Sequence, residues 1–207
     1  MPSRNKSVFC GDLAFNVFED VYEPAEDTFL MTDNLEVRVD DFVLDVGTGC
    51  GISGILSAYH GAKVIATDIS PCAIRCAREN AKSNQLHAKM DFVQGDLFNP
   101  IKEELAFDVI LFNPPYLPIE PKELGSWLDV AWTGGTSGRK IIDRFIREAP
   151  EHVNRDGSIL MVQSSLSGIE TTISMFKKEN MGATVVAKRN YPFFETLALL
   201  RVKHFAC

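Results

Sequence analysis

The chain has 207 residues, 45% of them hydrophobic and 24% charged, the makeup of one globular domain with a sizeable core. Its 28 acids against 21 Lys and Arg leave a net charge of −7, which argues against a broad basic face that grips nucleic acid. No apolar stretch reaches membrane-spanning length and no signal-like segment opens the chain, so a soluble, cytoplasmic protein is expected. The cysteines (Cys10, Cys50, Cys72, Cys76 and Cys207) form no C-x-x-C pair and read as reduced thiols. The histidines (His60, His87, His152 and His204) show no ligand spacing, and no metal is expected.

From Met1 to about Val21 a loose apolar set reads as an arm packed on a domain spanning 22–207. Pro24, with Glu26 and Asp27 behind it, predicts a helix from Pro24 to about Leu35, its acids at the positive end of the helix dipole. Tyr22, the two acids and Thr28 together make that first turn a candidate lid. Phe42–Val46 predicts a buried strand running into Gly47-Thr48-Gly49-Cys50-Gly51, then a helix to about Tyr59. Lys63–Asp68 predicts a second strand, and Ser70-Pro71 caps a helix to about Asn84. A third strand near Met90–Gln94 stops at Gly95-Asp96, and a fourth, Phe107–Phe112, stops at Asn113-Pro114-Pro115-Tyr116. After a loop rich in Pro, Gly and Trp come a helix (about Arg139–Glu148), a strand (Ser158–Gln163) and a helix (Gly168–Glu179). Two last strands, Thr184–Lys188 and Thr196–Val202, are joined through Asn190-Tyr191-Pro192. The alternation implies an α/β fold: a mostly parallel seven-stranded sheet with one antiparallel strand and helices on both faces. Ligands of such sheets bind at the carboxyl ends of the strands, where these motifs fall.

Asn113-Pro114-Pro115-Tyr116 displays carbonyls and few donors, because a proline has no N–H. The Asn113 amide oxygen and the Pro114 carbonyl together can accept both hydrogens of one –NH2 group, with Tyr116 as a flat wall for a planar carboxamide or base. Glycines 47, 49 and 51 let backbone approach a ligand and open a helix N-terminus toward it. Gly49-x-Gly51-x-x-Gly54, with Asp68 downstream, also satisfies a dinucleotide fingerprint, which leaves a nicotinamide oxidoreductase as a competing reading. Against it, Asp45 inside the strand end suits a cationic amino or sulfonium group better than a pyrophosphate. Asp68 suits ribose hydroxyls, and Asp96 an exocyclic amino group such as that of adenine. Three acids around a glycine loop describe S-adenosylmethionine.

Asp45 to Gly51, Asp68 and Asn113-Pro114-Pro115-Tyr116 resemble the Rossmann-like class I S-adenosylmethionine-dependent methyltransferases that modify amino or amide nitrogens. Asp20 to Phe29, Trp132-x-Gly134-Gly135-x-x-Gly138-Arg139, Asp143-Arg144-Phe145 and Glu195-Thr196-Leu197 extend the likeness to archaeal and eukaryotic HemK-like glutamine methyltransferases. The resemblance implies methylation of the Gly-Gly-Gln glutamine of a class 1 translation release factor. It implies a cofactor held by Tyr22, Glu26, Thr28, Asp45, Gly47, Thr48, Gly49, Gly51, Asp68, Ile69, Asp96, Leu97 and Asn113. It also implies a substrate amide at Asn113, Pro114, Pro115 and Tyr116, and a small zinc-binding activator protein as partner. The strand at Met90–Gln94, expected at a sheet edge, is the candidate docking site for that activator. The alternatives are an adenine-N6 methyltransferase acting on an extruded base and a protein-lysine methyltransferase. A non-catalytic binding subunit of the same fold is disfavoured by the intact motif.

Overall fold

Short runs of Val, Ile, Leu and Phe pair into a seven-stranded sheet in the computed structural model, which describes residues 6–118, 127–191 and 195–205. In chain order the strands are β1 (Lys6–Cys10), β2 (Leu13–Val17), β3 (Phe42–Val46), β4 (Lys63–Asp68), β5 (Met90–Gln94), β6 (Phe107–Phe112), β7 (Val153–Ser164), β8 (Met181–Asn190) and β9 (Thr196–His204). The α-helices are α1 (Glu26–Thr32), α2 (Ile52–Tyr59), α3 (Pro71–Ser83), α4 (Trp127–Trp132), α5 (Lys140–Glu148) and α6 (Ile169–Lys178). Across the large sheet the order is β5-β4-β3-β6-β7-β9-β8. From β5 to β7 every pair is parallel, while β9 runs antiparallel to both β7 and β8. A helix-free connection between the last two strands requires that reversal. β5 lies at the edge, as expected.

Side-chain alternation divides the core between the two sheet faces. Val43, Leu111, Val162 and Leu199 pack with residues of α1, α2 and α3, whereas Leu44, Ile110, Met161 and Val202 pack with those of α5 and α6. Phe112, the last residue of β6, stacks on Phe145 of α5 with ring centroids 4.1 Å apart. That contact fixes where the following Asn113 emerges.

Several elements differ from the sequence reading: α4 (Trp127–Trp132) lies where the sequence predicts only a loop, and β8 starts at Met181 rather than Thr184. β7 begins at Val153 rather than Ser158, because its register with β6 slips between the Phe107–Val153 and Val109–Ser158 pairs. The polar bulge 154–157 hides the strand's start from a hydrophobicity pattern. α1 covers only Glu26–Thr32, so Pro24 precedes the helix rather than opening it. The arm contains the β1–β2 hairpin, in which Leu13, Phe15 and Val17 are buried while Ala14 and Asn16 face outward. Pro192 of the final turn and Cys207 lie outside the described residues.

Candidate active site

The strand order reverses at β3, which has β4 on one side and β6 on the other. Chains leaving the carboxyl ends of adjacent parallel strands diverge there and leave a crevice. A cavity of about 680 Å³ occupies it, walled by 20–31, the glycine loop, the ends of β4 and β6, and 131–141.

The glycine loop is shaped around Asp45, which is buried. Its Oδ2 accepts the Thr48 hydroxyl at 2.6 Å and the Gly54 N–H at 3.0 Å. A Cβ on Gly54 would stand 2.9 Å from that same oxygen, and one on Gly51 (φ +91°) 2.9 Å from the Ala77 Cβ. The last glycine of the apparent dinucleotide fingerprint therefore admits a carboxylate, which undercuts the oxidoreductase reading. Burial raises the Asp45 carboxyl to about 6, opposed in part by the Thr48 and Gly54 bonds. Asp68 accepts the Gly49 N–H at 3.0 Å and the Ser70 N–H at 2.8 Å, so it both shapes the loop and caps the approach to α3. Ile69, an apolar side chain left 43% exposed, stands at the cavity wall beside it. Leu97 is buried with φ +49°, a left-handed backbone that costs a branched side chain about 1–3 kcal/mol.

Asp27 organises the opposite wall. It is 5% exposed, and both carboxylate oxygens are fully engaged. Oδ1 accepts the Thr28 N–H at 2.6 Å, the Thr28 hydroxyl at 3.2 Å and the Tyr22 hydroxyl at 2.9 Å. Oδ2 accepts the Tyr116 hydroxyl at 3.0 Å, the Asn113 Nδ2 at 3.1 Å and the Tyr22 hydroxyl at 3.0 Å. Burial, and next the Asp27 charge, push both phenols above their ordinary range and keep them protonated as donors. Because Asp27 can only accept, it orients the Asn113 amide with nitrogen inward. The Asn113 Oδ1 is buried with no hydrogen-bond partner among the described residues, and Asn113 lines the cavity. The Thr67 hydroxyl is in the same condition on the same cavity. Buried acceptors of this kind cost about 1–3 kcal/mol when unmet, so they mark where a ligand supplies donors.

The third wall is the loop between α4 and α5. The Gly134 N–H bonds the Leu117 carbonyl at 3.0 Å, and Leu117 bridges Thr133. Arg139 anchors the loop by donating to the Ser167 and Gly168 carbonyls at 2.6 and 2.9 Å and pairing with Asp143 at 2.8 Å.

Most residues expected at the site line this cavity: Tyr22, Thr28, Asp45, Gly47, Thr48, Gly49, Asp68, Ile69, Asp96, Leu97 and 113–116. Glu26 does not; its half-exposed carboxylate pairs with Arg189, and Asp27 takes the inward position. Gly51 sits behind the lining as the cap of α2. Asp96 lines the cavity but is gripped by Arg144 at 2.9 and 3.3 Å, so its remaining lone pairs alone face a ligand. Sequence reasoning takes Asp27 only as one acid of the candidate lid, without its central role, and does not select Thr67 at all. Adjacent acids in one helical turn differ only in phase, and that phase was the available signal for Asp27.

Residues 22–124 match the family described as methyltransferase small domain. A putative protein N5-glutamine methyltransferase of Methanocaldococcus jannaschii is 41% identical over 182 residues, covering 87% of this chain and 90% of the relative. The human protein named methyltransferase HEMK2 is 34% identical over 205 residues, covering 93% and 94%. Among solved structures, the E. cuniculi Mtq2–Trm112 complex, described as responsible for methylation of the eRF1 translation termination factor, matches with TM-score 0.64 and 26% identity. That match covers 90% of this chain and 99% of that one.

Proposed function

The chain belongs to the HemK-like protein N5-glutamine methyltransferases, and on that footing we propose that it methylates the side-chain amide of a release-factor glutamine at Asn113. One observation carries the choice of acceptor: Asn113 Oδ1 is buried, unpartnered and aimed by Asp27 as a hydrogen-bond acceptor. A primary amide brings the –NH2 that such an oxygen needs. With a second acceptor at the Pro114 carbonyl, both N–H bonds are held in a direction that favours a pyramidal, less conjugated nitrogen. The nitrogen lone pair then becomes available, and alignment of the reactants contributes up to roughly 7–11 kcal/mol. The methylated nitrogen, an N-protonated and strongly acidic amide, sheds its extra proton to water without a dedicated base. When bound, S-adenosylmethionine supplies an electrophilic methyl on a sulfonium. Asp45 and Asp68 suit its amino group and ribose, Thr67 and Asp96 offer further polar contacts, and Tyr22 and Thr28 close the wall.

The same geometry disfavours lysine as acceptor. An ammonium must first lose a proton, and the carboxylate beside Asn113 already accepts five protein donors, with the Tyr22 hydroxyl shared between its two oxygens. The free edge of β5 supports a partner of the kind seen in the Mtq2–Trm112 complex, added as a further strand. Met90 is buried, so Phe92, half-covered by Arg78, is the side chain such a partner would meet.

Mass spectrometry of a release factor incubated with the protein, an activator subunit and S-adenosylmethionine tests the reading. A single methyl on the Gly-Gly-Gln glutamine supports it. Methylation of a lysine in its place, or an unmethylated glutamine despite bound cofactor, refutes it.

Asp45 adds a pH dependence. Its folded pKa stands above the ordinary carboxylate value, at about 6. The folded state therefore holds a proton that the unfolded chain gives up, and this contribution to stability disappears as pH rises through about 6. Affinity for a cationic ligand runs the other way, because it needs the charged form. Cofactor affinity is expected to fall about tenfold per pH unit below that pKa, and calorimetric titration between pH 5 and 8 checks it. Asp45→Asn should bind weakly and lose that pH dependence.

A further inference from the structure

The hairpin β1–β2 is held to α3 by two asparagines that act as a short surrogate strand. Asn80 Oδ1 accepts the Asn16 N–H at 2.8 Å, and Asn80 Nδ2 donates to the Asn16 carbonyl at 3.0 Å. One helical turn on, Asn84 Oδ1 accepts the Ala14 N–H at 3.1 Å, and Asn84 Nδ2 donates to the Ala14 carbonyl at 2.8 Å. The match follows from the two periods. Residues i and i+4 of a helix are roughly 6 Å apart along its axis, and residues i and i+2 of a strand roughly 6.7 Å. Two amides four apart on α3 can therefore satisfy successive outward-facing backbone pairs of an edge strand.

Asn80 differs from Asn84 in one respect. It is 2% exposed, and its Nδ2 also donates to the Cys50 carbonyl at 2.8 Å, in the glycine loop beneath the cavity. A single amide thus joins the hairpin to the loop whose shape depends on Asp45 and Asp68. Downstream, β2 runs through the Phe18–Val21 turn directly into Asp20, Val21 and Tyr22 on the cavity wall.

We propose that Asn80 is a positioning residue for the cofactor end of the cavity, coupling the seating of the N-terminal hairpin to the glycine loop. The inference rests on the assignment of that cavity to S-adenosylmethionine. Coupling of this kind is reciprocal: whatever the docked hairpin adds to ligand affinity, the ligand adds to the docking of the hairpin. Asn84 holds the hairpin equally well but does not touch the loop, which makes it the internal control.

The test uses full-length wild type, Asn80→Ala and Asn84→Ala. Each is titrated calorimetrically with S-adenosylmethionine and S-adenosylhomocysteine, and hydrogen exchange of the hairpin amides is followed with and without ligand. In the wild type, ligand should slow exchange at Ala14 and Asn16. Asn80→Ala should bind about tenfold more weakly, the size expected for one lost buried hydrogen bond, and lose the ligand-dependent slowing at Ala14, whose own acceptor Asn84 remains. Asn84→Ala removes the acceptor of the Ala14 N–H, so it should keep the affinity and the ligand-dependent slowing at Asn16, whose acceptor Asn80 remains. Equal losses in the two variants, or none in Asn80→Ala, overturn the coupling. Should Asn80→Ala fail to fold, the wild type still decides, because hairpin exchange indifferent to bound ligand also overturns it. A wild type that binds neither compound refutes the cofactor assignment instead.

Discussion

Replacing Asn113 by alanine should lower methyl transfer by about 10²–10³-fold, the loss typical when one preorganised polar group is removed from an active site. The effect is large because the amide is set in advance. Asp27 Oδ2 holds the nitrogen at 3.1 Å, so no rotation is needed before the free oxygen meets a substrate amide. Cofactor affinity should change little, since Asp45, Asp68 and the glycine loop remain intact. Single-turnover assays with a release factor, alongside cofactor titration, separate the two quantities. Asn113→Asp should be at least as damaging, because a second carboxylate would then face Asp27 at hydrogen-bond distance with only acceptors between them. Wild-type turnover in either variant would sink the role assigned to Asn113.

Gly138→Ala is the second large effect, although the residue offers no functional group. Its φ of +70° is already unfavourable for alanine, and a Cβ there would lie 2.3 Å from the Tyr116 carbonyl oxygen and 3.0 Å from the Ser167 Cβ. Neither neighbour is a flexible side-chain end, so the backbone at Tyr116 must move. Its hydroxyl reaches Asp27 at 3.0 Å, so the shift is passed to the carboxylate that aims Asn113. A misplacement of about 1 Å at reacting groups can cost 10²-fold in rate, and a loss of about that size is expected, with a lowered melting temperature. Gly135→Ala provides the comparison. Its φ is +76°, yet its Cβ would meet only the Lys140 side chain, at 3.3 Å. The two variants share the backbone penalty, so the difference in their turnover measures the clash with the Tyr116 backbone and Ser167.

What the sequence displayed, and what it hid, follows from the range of the interactions. The central strands of the large sheet were legible because burial on both faces demands largely apolar runs, and β3, β4 and β6 fall where those runs lie. The glycine loop and Asn113 to Tyr116 were legible because each is a compact string at a strand's end. Pairings across distant segments were not. That Asp27 rather than Glu26 turns inward depends on where α1 docks, and local acidity is the same for both. Asn80 and Asn84 look like weak helix formers on a solvated face until β2 is seen against them. Asp96 was readable as an acid at a strand's end, but its Arg144 partner lies 48 positions away. Gly138 is one glycine among several until the Tyr116 carbonyl comes against it.

The bonds from Asp27 to Asn113 and Tyr116 span 86 and 89 positions. A ribosome adding about 5–20 residues per second separates the synthesis of Asp27 from that of Asn113 by roughly 4–17 s. Through that interval the acid has been made, but the amide it orients has not. Neither half can acquire its final arrangement locally, so the acceptor site is completed only after β6 enters the sheet. A nascent chain halted before that point holds the glycine loop and its acids with no means of presenting a substrate amide.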